Sequence, residues 1–162
     1  MRKKWSYTLI LALILVLPTA SFAQRVGSKL KPFAATKTMA GNTINMQEMI
    51  GTKPIMLVFW ASWCPNCLHE VPRINQLKKI YGKKGMEFIG INVGRNDSET
   101  RAALFIKKTG MTYPVVFDRD LKIIRQYMII AVPTIIVADR KGIIVYRGHG
   151  IPEEQILDKA VK

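Results

Sequence analysis

The strongest constraint on this chain is a six-residue run, Ile55-Met56-Leu57-Val58-Phe59-Trp60, in which every side chain is apolar. A strand with one wet face alternates apolar and polar residues, whereas an unbroken run of strand length belongs to a strand covered on both faces. Such a strand lies inside a sheet with helices on either side of it. Glu87 to Val93 reads as a second buried strand. Between the two, Leu68, Val71, Ile74, Leu77 and Ile80 recur every three residues and predict one apolar face on a helix over Pro65 to Tyr81. Proline is tolerated at the start of a helix because its missing N–H would have had no partner there. Pro72, inside the helix, is expected to kink it, and Gly82 and Gly85 to end it.

The same alternation continues to the end of the chain. Asp97 or Ser98 caps a helix running to about Lys108, with Ala102, Phe105 and Ile106 turned inward. Tyr113 to Phe117 is a third strand and Asp120 to Met128 a short helix. Thr134 to Ala138 and Ile143 to Tyr146 are strands joined by Asp139-Arg140-Lys141-Gly142, a hairpin signal. Pro152 to Val161 is the last helix. Ahead of the first buried strand come a lead-in from Gln24 to Lys31, a small hairpin from Phe33 to Ile44 turning at Gly41-Asn42, and a helical turn from Met46 to Ile50 stopped by Gly51. Strands alternating with helices and closing in a hairpin imply an α/β sandwich with a mixed sheet, one domain over residues 24–162.

Residues 1–23 are of another kind. Arg2, Lys3 and Lys4 precede an apolar run from Leu9 to Leu17, ended by Pro18, and Ser21-Phe22-Ala23 offers the small residues that a signal peptidase reads. This is the pattern of a secretory signal peptide; the alternative is an uncleaved N-terminal anchor, although a spanning helix needs about 20 apolar residues. Either way the chain is expected to be exported. The formal charge is +14, and the three charges before residue 24 are all basic. Export argues against nucleic acid as a partner, and the lysines fall in scattered pairs, Lys78-Lys79, Lys83-Lys84 and Lys107-Lys108, that read as solvated helix faces.

An exported chain can keep disulfides, but its two cysteines, Cys64 and Cys67, are too close in sequence to staple distant segments together. Their position points instead to chemistry. Cys64 falls where a buried strand meets the N-terminus of a helix, whose free N–H groups and partial positive charge favour a thiolate over a thiol. Cys67, almost one turn later, is placed to resolve a mixed disulfide on Cys64. Cys-X-X-Cys opening a helix within a βαβ unit is a specific redox signal. A metal site would need further ligands; the only imidazoles are His69, which points away from the pair, and His149, which reads as a loop residue in Gly148-His149-Gly150. Neither a metal nor a separate cofactor is therefore expected. Glu70 shares a helix face with Cys67 at a spacing of three. Partly buried there it would exchange protons with Cys67; at the helix edge it would merely be solvated, and spacing does not decide between the two.

Trp63-Cys64-Pro65-Asn66-Cys67, Pro72 and Val132-Pro133-Thr134 resemble the thioredoxin superfamily. More narrowly, Phe59-Trp60-Ala61-Ser62-Trp63-Cys64, Glu70, Asn92-Val93-Gly94 and Tyr113-Pro114-Val115-Val116-Phe117-Asp118 resemble the TlpA/ResA/CcmG group of exported thiol–disulfide oxidoreductases. The resemblance implies a thioredoxin-like three-layer sandwich with an N-terminal hairpin, and an extra helix and strand between about Asn92 and Phe117. It implies that Cys64 is the nucleophile, Cys67 the resolving cysteine and Glu70 an active-site carboxylate. Trp63, Val132 and a cis Pro133 would contact the substrate, Val132 through its backbone. It further implies exported disulfide-containing clients such as apocytochromes c or oxidase-assembly factors, a DsbD/CcdA-like membrane electron donor, and a monomer. Two departures matter: thioredoxin's buried aspartate is here Val58, and Pro-Asn between the cysteines matches neither thioredoxin nor ResA, which leaves the direction of reaction open. The alternatives are a DsbA-like oxidase, favoured by the proline directly after Cys64 but lacking the helical insertion, and a Sco-like copper chaperone, for which His149 is the sole distant ligand candidate. A peroxidase would want a threonine or serine where Ala61 stands and a proline where Leu57 stands.

Overall fold

The computed structural model describes residues 24–162, so the signal sequence or anchor expected over residues 1–23 lies outside the described residues. Among the described residues no helix is long and apolar enough to cross a membrane. The central sheet has five strands in the order β5-β4-β3-β6-β7: β3 is Ile55–Trp60, β4 Glu87–Asn92, β5 Val115–Phe117, β6 Thr134–Ala138 and β7 Ile144–Gly148. The β3/β4 and β4/β5 pairs are parallel, and the β3/β6 and β6/β7 pairs antiparallel. All six residues of β3 are buried, as the apolar run requires of the middle strand. A separate antiparallel hairpin joins β1 (Thr36–Lys37) to β2 (Thr43–Ile44), followed by the short helix α1 (Met46–Met49).

Neighbouring residues of β3 show how the layers are built, since successive side chains leave a strand on opposite faces. Phe59 meets Tyr127 with ring centroids 5.5 Å apart, and Tyr127 in turn meets Phe33, just ahead of β1. Trp60, pointing the other way, stacks on Phe105 at 4.7 Å. Phe105 belongs to α3 (Glu99–Thr109), which lies against α2 (Pro65–Tyr81). The last helix, α5 (Glu154–Ala160), is tied to α2 by Tyr81 on Asp158 and by the Arg73–Glu154 ion pair, and to the turn after α2 by Lys84 on Asp158. The short helix α4 (Lys122–Gln126) precedes Tyr127 on the other face. The result is a three-layer sandwich around a mixed sheet, with α3 and β5 inserted between β4 and α4.

Several boundaries differ from the sequence reading for identifiable reasons. On α2, Val71, Ile74 and Leu77 are buried but Ile80 is exposed, and Cys67 and Tyr81 are buried instead. A strict spacing of three drifts by about 60° per step around a helix of 3.6 residues per turn, so Leu68 and Ile80 cannot both face the sheet. Ser98 is the N-cap of α3, its hydroxyl accepting from the Arg101 N–H, while Asp97 turns inward to another task. Ile106 is only partly buried. The helix α4 starts at Lys122, not Asp120, because the buried Asp118 carboxylate accepts from the Ile123 and Ile124 N–H groups. Tyr113-Pro114 leads into β5 without joining it, and β7 extends to Gly148.

Candidate active site

Cys64 is the N-cap residue of α2, and its sulfur accepts a hydrogen bond from the Cys67 N–H at 3.1 Å. The two cysteines are disulfide-bonded, with Cα atoms 5.3 Å apart, and both are buried. Pro65 at the first helical position has no N–H to donate, and the backbone N–H that reaches the Cys64 sulfur is that of Cys67. The redox pair thus sits where a fully buried strand delivers the chain to a helix N-terminus, the place with free donors and positive potential.

The segment that delivers Cys64 is fastened by a residue whose role spacing did not reveal. The Asp97 side chain is fully buried. Its Oδ2 accepts from the Ser62 N–H at 2.7 Å and the Asn92 amide at 2.8 Å, and its Oδ1 from the Ser62 hydroxyl at 2.6 Å and the Ser98 N–H at 2.8 Å. Burial alone would push this carboxyl up; the hydrogen bonds from Ser62, Asn92 and Ser98 outweigh it and hold it below its ordinary value. Trp63 is pinned from the same loop, its indole N–H donating to the Arg95 carbonyl at 3.0 Å. Beside this loop Gly94, at φ +64°, has no room for a side chain, because a Cβ would meet the Asp118 carbonyl oxygen.

Glu70 is half-buried on α2, and its Oε2 atom is buried with no hydrogen-bond partner. Burial raises its carboxyl above the ordinary range. Its charge is felt at Tyr113 and Tyr146, whose phenols are raised by burial first and by Glu70 second. A Cβ at Gly150 would come 3.4 Å from Glu70 Oε1, which places the Gly148–Gly150 loop against the carboxylate. The sequence left open whether Glu70 is solvated; the structure puts one of its oxygens out of water.

The Val132–Pro133 peptide bond is cis. Val132 and Trp63 line the same small cavity, together with Val93, Ile129 and Ile130. On the other side of Trp63, a groove of about 450 Å³ opens between α2 and α3, lined by Cys64, Leu68, Leu104, Arg101 and Lys108. Ile130 is 87% exposed, Leu104 63% and Trp63 48%, so the disulfide lies in an apolar surface. Leu104 was absent from the inward-facing residues expected on α3; nothing in local periodicity marks an outward leucine as part of a site. His149 also comes to this region, its Nδ1 2.9 Å from the Pro133 carbonyl oxygen. Among the described residues no three histidine, cysteine, aspartate or glutamate side chains gather to hold a metal ion.

A mixed five-stranded sheet with a Cys-X-X-Cys disulfide capping the helix after its central strand defines a thiol–disulfide oxidoreductase of the thioredoxin superfamily. Residues 25–161 match the Redoxin family model, and the chain belongs to that family. It is 32% identical over 124 residues to the thiol-disulfide oxidoreductase ResA of Geobacillus kaustophilus, covering 76% of this chain and 69% of that protein. It is 30% identical over 138 residues to ResA of Bacillus anthracis, covering 85% and 78%. Among solved structures it is similar to a thiol:disulfide interchange protein of the thioredoxin family from Chlorobium tepidum, with TM-score 0.73 and 26% identity over 85% of this chain and 98% of that one. It is likewise similar to StoA from Bacillus subtilis, with TM-score 0.66 and 27% identity over 79% and 95%. The chain is a ResA/CcmG-like enzyme that catalyses thiol–disulfide exchange.

Proposed function

We propose that the enzyme works as a reductant of disulfides in exported proteins, with Cys64 as nucleophile, Cys67 as resolving cysteine and Glu70 as the proton acceptor for Cys67. The observation that carries this reading is Glu70, half-buried one turn after Cys67 with an unpartnered oxygen. In the reduced enzyme the Cys64 thiolate attacks one sulfur of a client disulfide and the other client sulfur leaves as a thiolate. Cys67, buried and away from water, passes its proton to the Glu70 carboxylate and attacks the Cys64 sulfur. The second client thiolate leaves, and the Cys64–Cys67 disulfide remains; two electrons have passed to the client. The exchange runs on the cysteine pair without a further cofactor. Trp63 and the apolar surface around it receive the client segment, and the backbone of Val132 beside cis Pro133 pairs with it.

Direction follows from what stabilises the thiolate. A strongly oxidising pair has a reduced form stabilised at the nucleophile. Here one backbone N–H reaches the Cys64 sulfur, and the Glu70 carboxylate on the same helix adds negative charge. The one donor favours the thiolate and the carboxylate opposes it, so the reduced form is held less firmly than at a helix N-terminus with several donors and no nearby negative charge, and the pair is the better electron donor. The reduction potential of the Cys64/Cys67 couple, measured against glutathione or dithiothreitol buffers, is expected nearer thioredoxin's roughly −270 mV than DsbA's roughly −120 mV. A value near the latter would establish an oxidase instead. The reading of residues 1–23 as a signal peptide or anchor supports a location on the outer side of the bacterial cytoplasmic membrane, where apocytochromes c and oxidase-assembly factors are fitting clients and a DsbD/CcdA-like membrane protein a fitting donor. It acts as a monomer.

Glu70→Gln separates proton handling from packing. Resolution at neutral pH should slow by about 100-fold, the scale of a positioned general base. Because burial raises the carboxyl from its ordinary 4.5, folding is favoured while Glu70 is protonated, and that advantage fades as pH rises through its folded-state value. The glutamine variant should therefore melt higher than the wild type at pH 7 and match it at pH 3.5. Equal melting temperatures at pH 7, with unchanged kinetics, would return Glu70 to a solvated surface residue.

A further inference from the structure

Two glycines bracket His149, and the loop they form reaches both halves of the site. Gly148 closes β7, paired with Ile135 of β6, directly after the cis-proline turn. Gly150 has φ +90°, its carbonyl accepts from the Tyr146 hydroxyl at 3.0 Å, and its Cα faces Glu70. Held at both ends, His149 turns its Nδ1 to the Pro133 carbonyl at 2.9 Å. The Thr134 hydroxyl is also near this nitrogen, at 3.5 Å, but it donates to the Ala131 carbonyl at 2.7 Å. A carbonyl oxygen can only accept, so a hydrogen bond at this distance requires the proton on Nδ1. The imidazole is otherwise exposed.

The Pro133 carbonyl belongs to the peptide that joins it to Thr134, so a hydrogen bond to that oxygen restrains the peptide plane directly after the cis bond. We propose that His149 is a positioning residue for client binding: by donating to the Pro133 carbonyl it fixes the turn that presents the Val132 backbone edge to an extended client segment. This deepens the functional reading above and rests on it. A client that lies along the Val132 edge benefits from a fixed turn. A small disulfide with no peptide backbone to pair touches only the sulfur and should be far less sensitive. The role belongs to binding rather than to the exchange of electrons, so it should appear in KM more than in kcat.

The test uses the full-length chain, turned over with dithiothreitol on two substrates: a synthetic peptide closed by one internal disulfide, and 2-hydroxyethyl disulfide. His149→Ala should raise KM for the peptide by about three- to ten-fold, the worth of one hydrogen bond, with a smaller change in kcat. The loss on the small disulfide should be several-fold less. His149→Asn, whose amide can donate from nearly the same place as Nδ1, should recover most of the peptide KM. Melting temperatures of both variants check that the comparison is between folded proteins. A long-range ¹H–¹⁵N spectrum of the wild type above pH 8 should show the His149 proton on Nδ1. Equal losses on the two substrates, no recovery with asparagine, or a proton on Nε2 would each overturn the proposal. Failure of the wild type to reduce either disulfide would overturn the functional reading beneath it, a result that the variants cannot mimic.

Discussion

Replacing Cys67 with serine should leave an enzyme that attacks its clients but cannot let them go. Cys64 keeps its place at the N-terminus of α2 and its backbone donor, because the Cys67 N–H that reaches its sulfur belongs to the main chain. The first exchange therefore proceeds. The second cannot, because a serine hydroxyl is too weak an acid to supply the attacking anion that Cys67 provides. Turnover should fall by roughly a thousand-fold or more, and a covalent adduct between Cys64 and a client cysteine should accumulate. Non-reducing electrophoresis with mass spectrometry reads the adduct directly, and its mass identifies the client. Cys64→Ser should be equally inactive and form no adduct. If the two variants behaved alike, or if the adduct formed through Cys67, the assignment of attacker and resolver would be reversed.

The parts of this enzyme that were legible in its sequence are those governed by local pattern. The run from Ile55 to Trp60 gives a strand buried on both faces because no other element accommodates six consecutive apolar side chains so simply. Pro65 after Cys64 marks the start of a helix through its own chemistry, and Asp139 to Gly142 marks a hairpin. The cysteine pair, carried by such elements, could be placed before any contact was seen. What local pattern does not contain is contact across the chain. Asp97 looks like a helix cap, and it stands one residue before the true cap; its work is done on Ser62, 35 positions away in sequence. His149 reads as a loop residue because the carbonyl it meets belongs to Pro133, on the preceding strand's approach. Leu104 breaks the inward pattern of α3 because the groove it lines exists only once α2 is beside it. The apolar repeat on α2 was misjudged at Ile80 by the smaller error of taking a spacing of three for a spacing of 3.6. Sheet-level and helix-level rules therefore suffice for the architecture, while the residues that hold the site in shape emerge only from tertiary packing.

Asp97 provides the sharpest test of that last point. Its carboxylate is the shared acceptor for two backbone N–H groups, one hydroxyl and one side-chain amide, all in a region without water access to the carboxylate. Asp97→Ala leaves these donors without their acceptor, and each buried unsatisfied donor costs about 1–3 kcal/mol, less whatever water or rotation recovers. A net loss of about 3 kcal/mol is expected, which lowers the melting temperature of a domain of this size by roughly 10 °C. Asp97→Asn keeps one accepting oxygen and should lose about half as much. The pH dependence has a definite sign. The hydrogen bonds hold the carboxyl below its ordinary 3.8, so the stabilisation is complete above that value and is lost as pH falls through the lower folded-state value. The wild type and Asp97→Ala should converge below pH 3 and stand apart from pH 5 upward. Because Ser62 is two residues before Cys64, the same substitution should loosen the approach to the nucleophile. Amide hydrogen exchange at Ser62, Trp63 and Cys64 should quicken more than exchange in β3, and client reduction should slow even at temperatures where the variant is fully folded. A variant that melted within 2 °C of the wild type would mean that the Ser62 loop is held by the packing of Trp63 and its bond to Arg95, and that the buried carboxylate is dispensable to it.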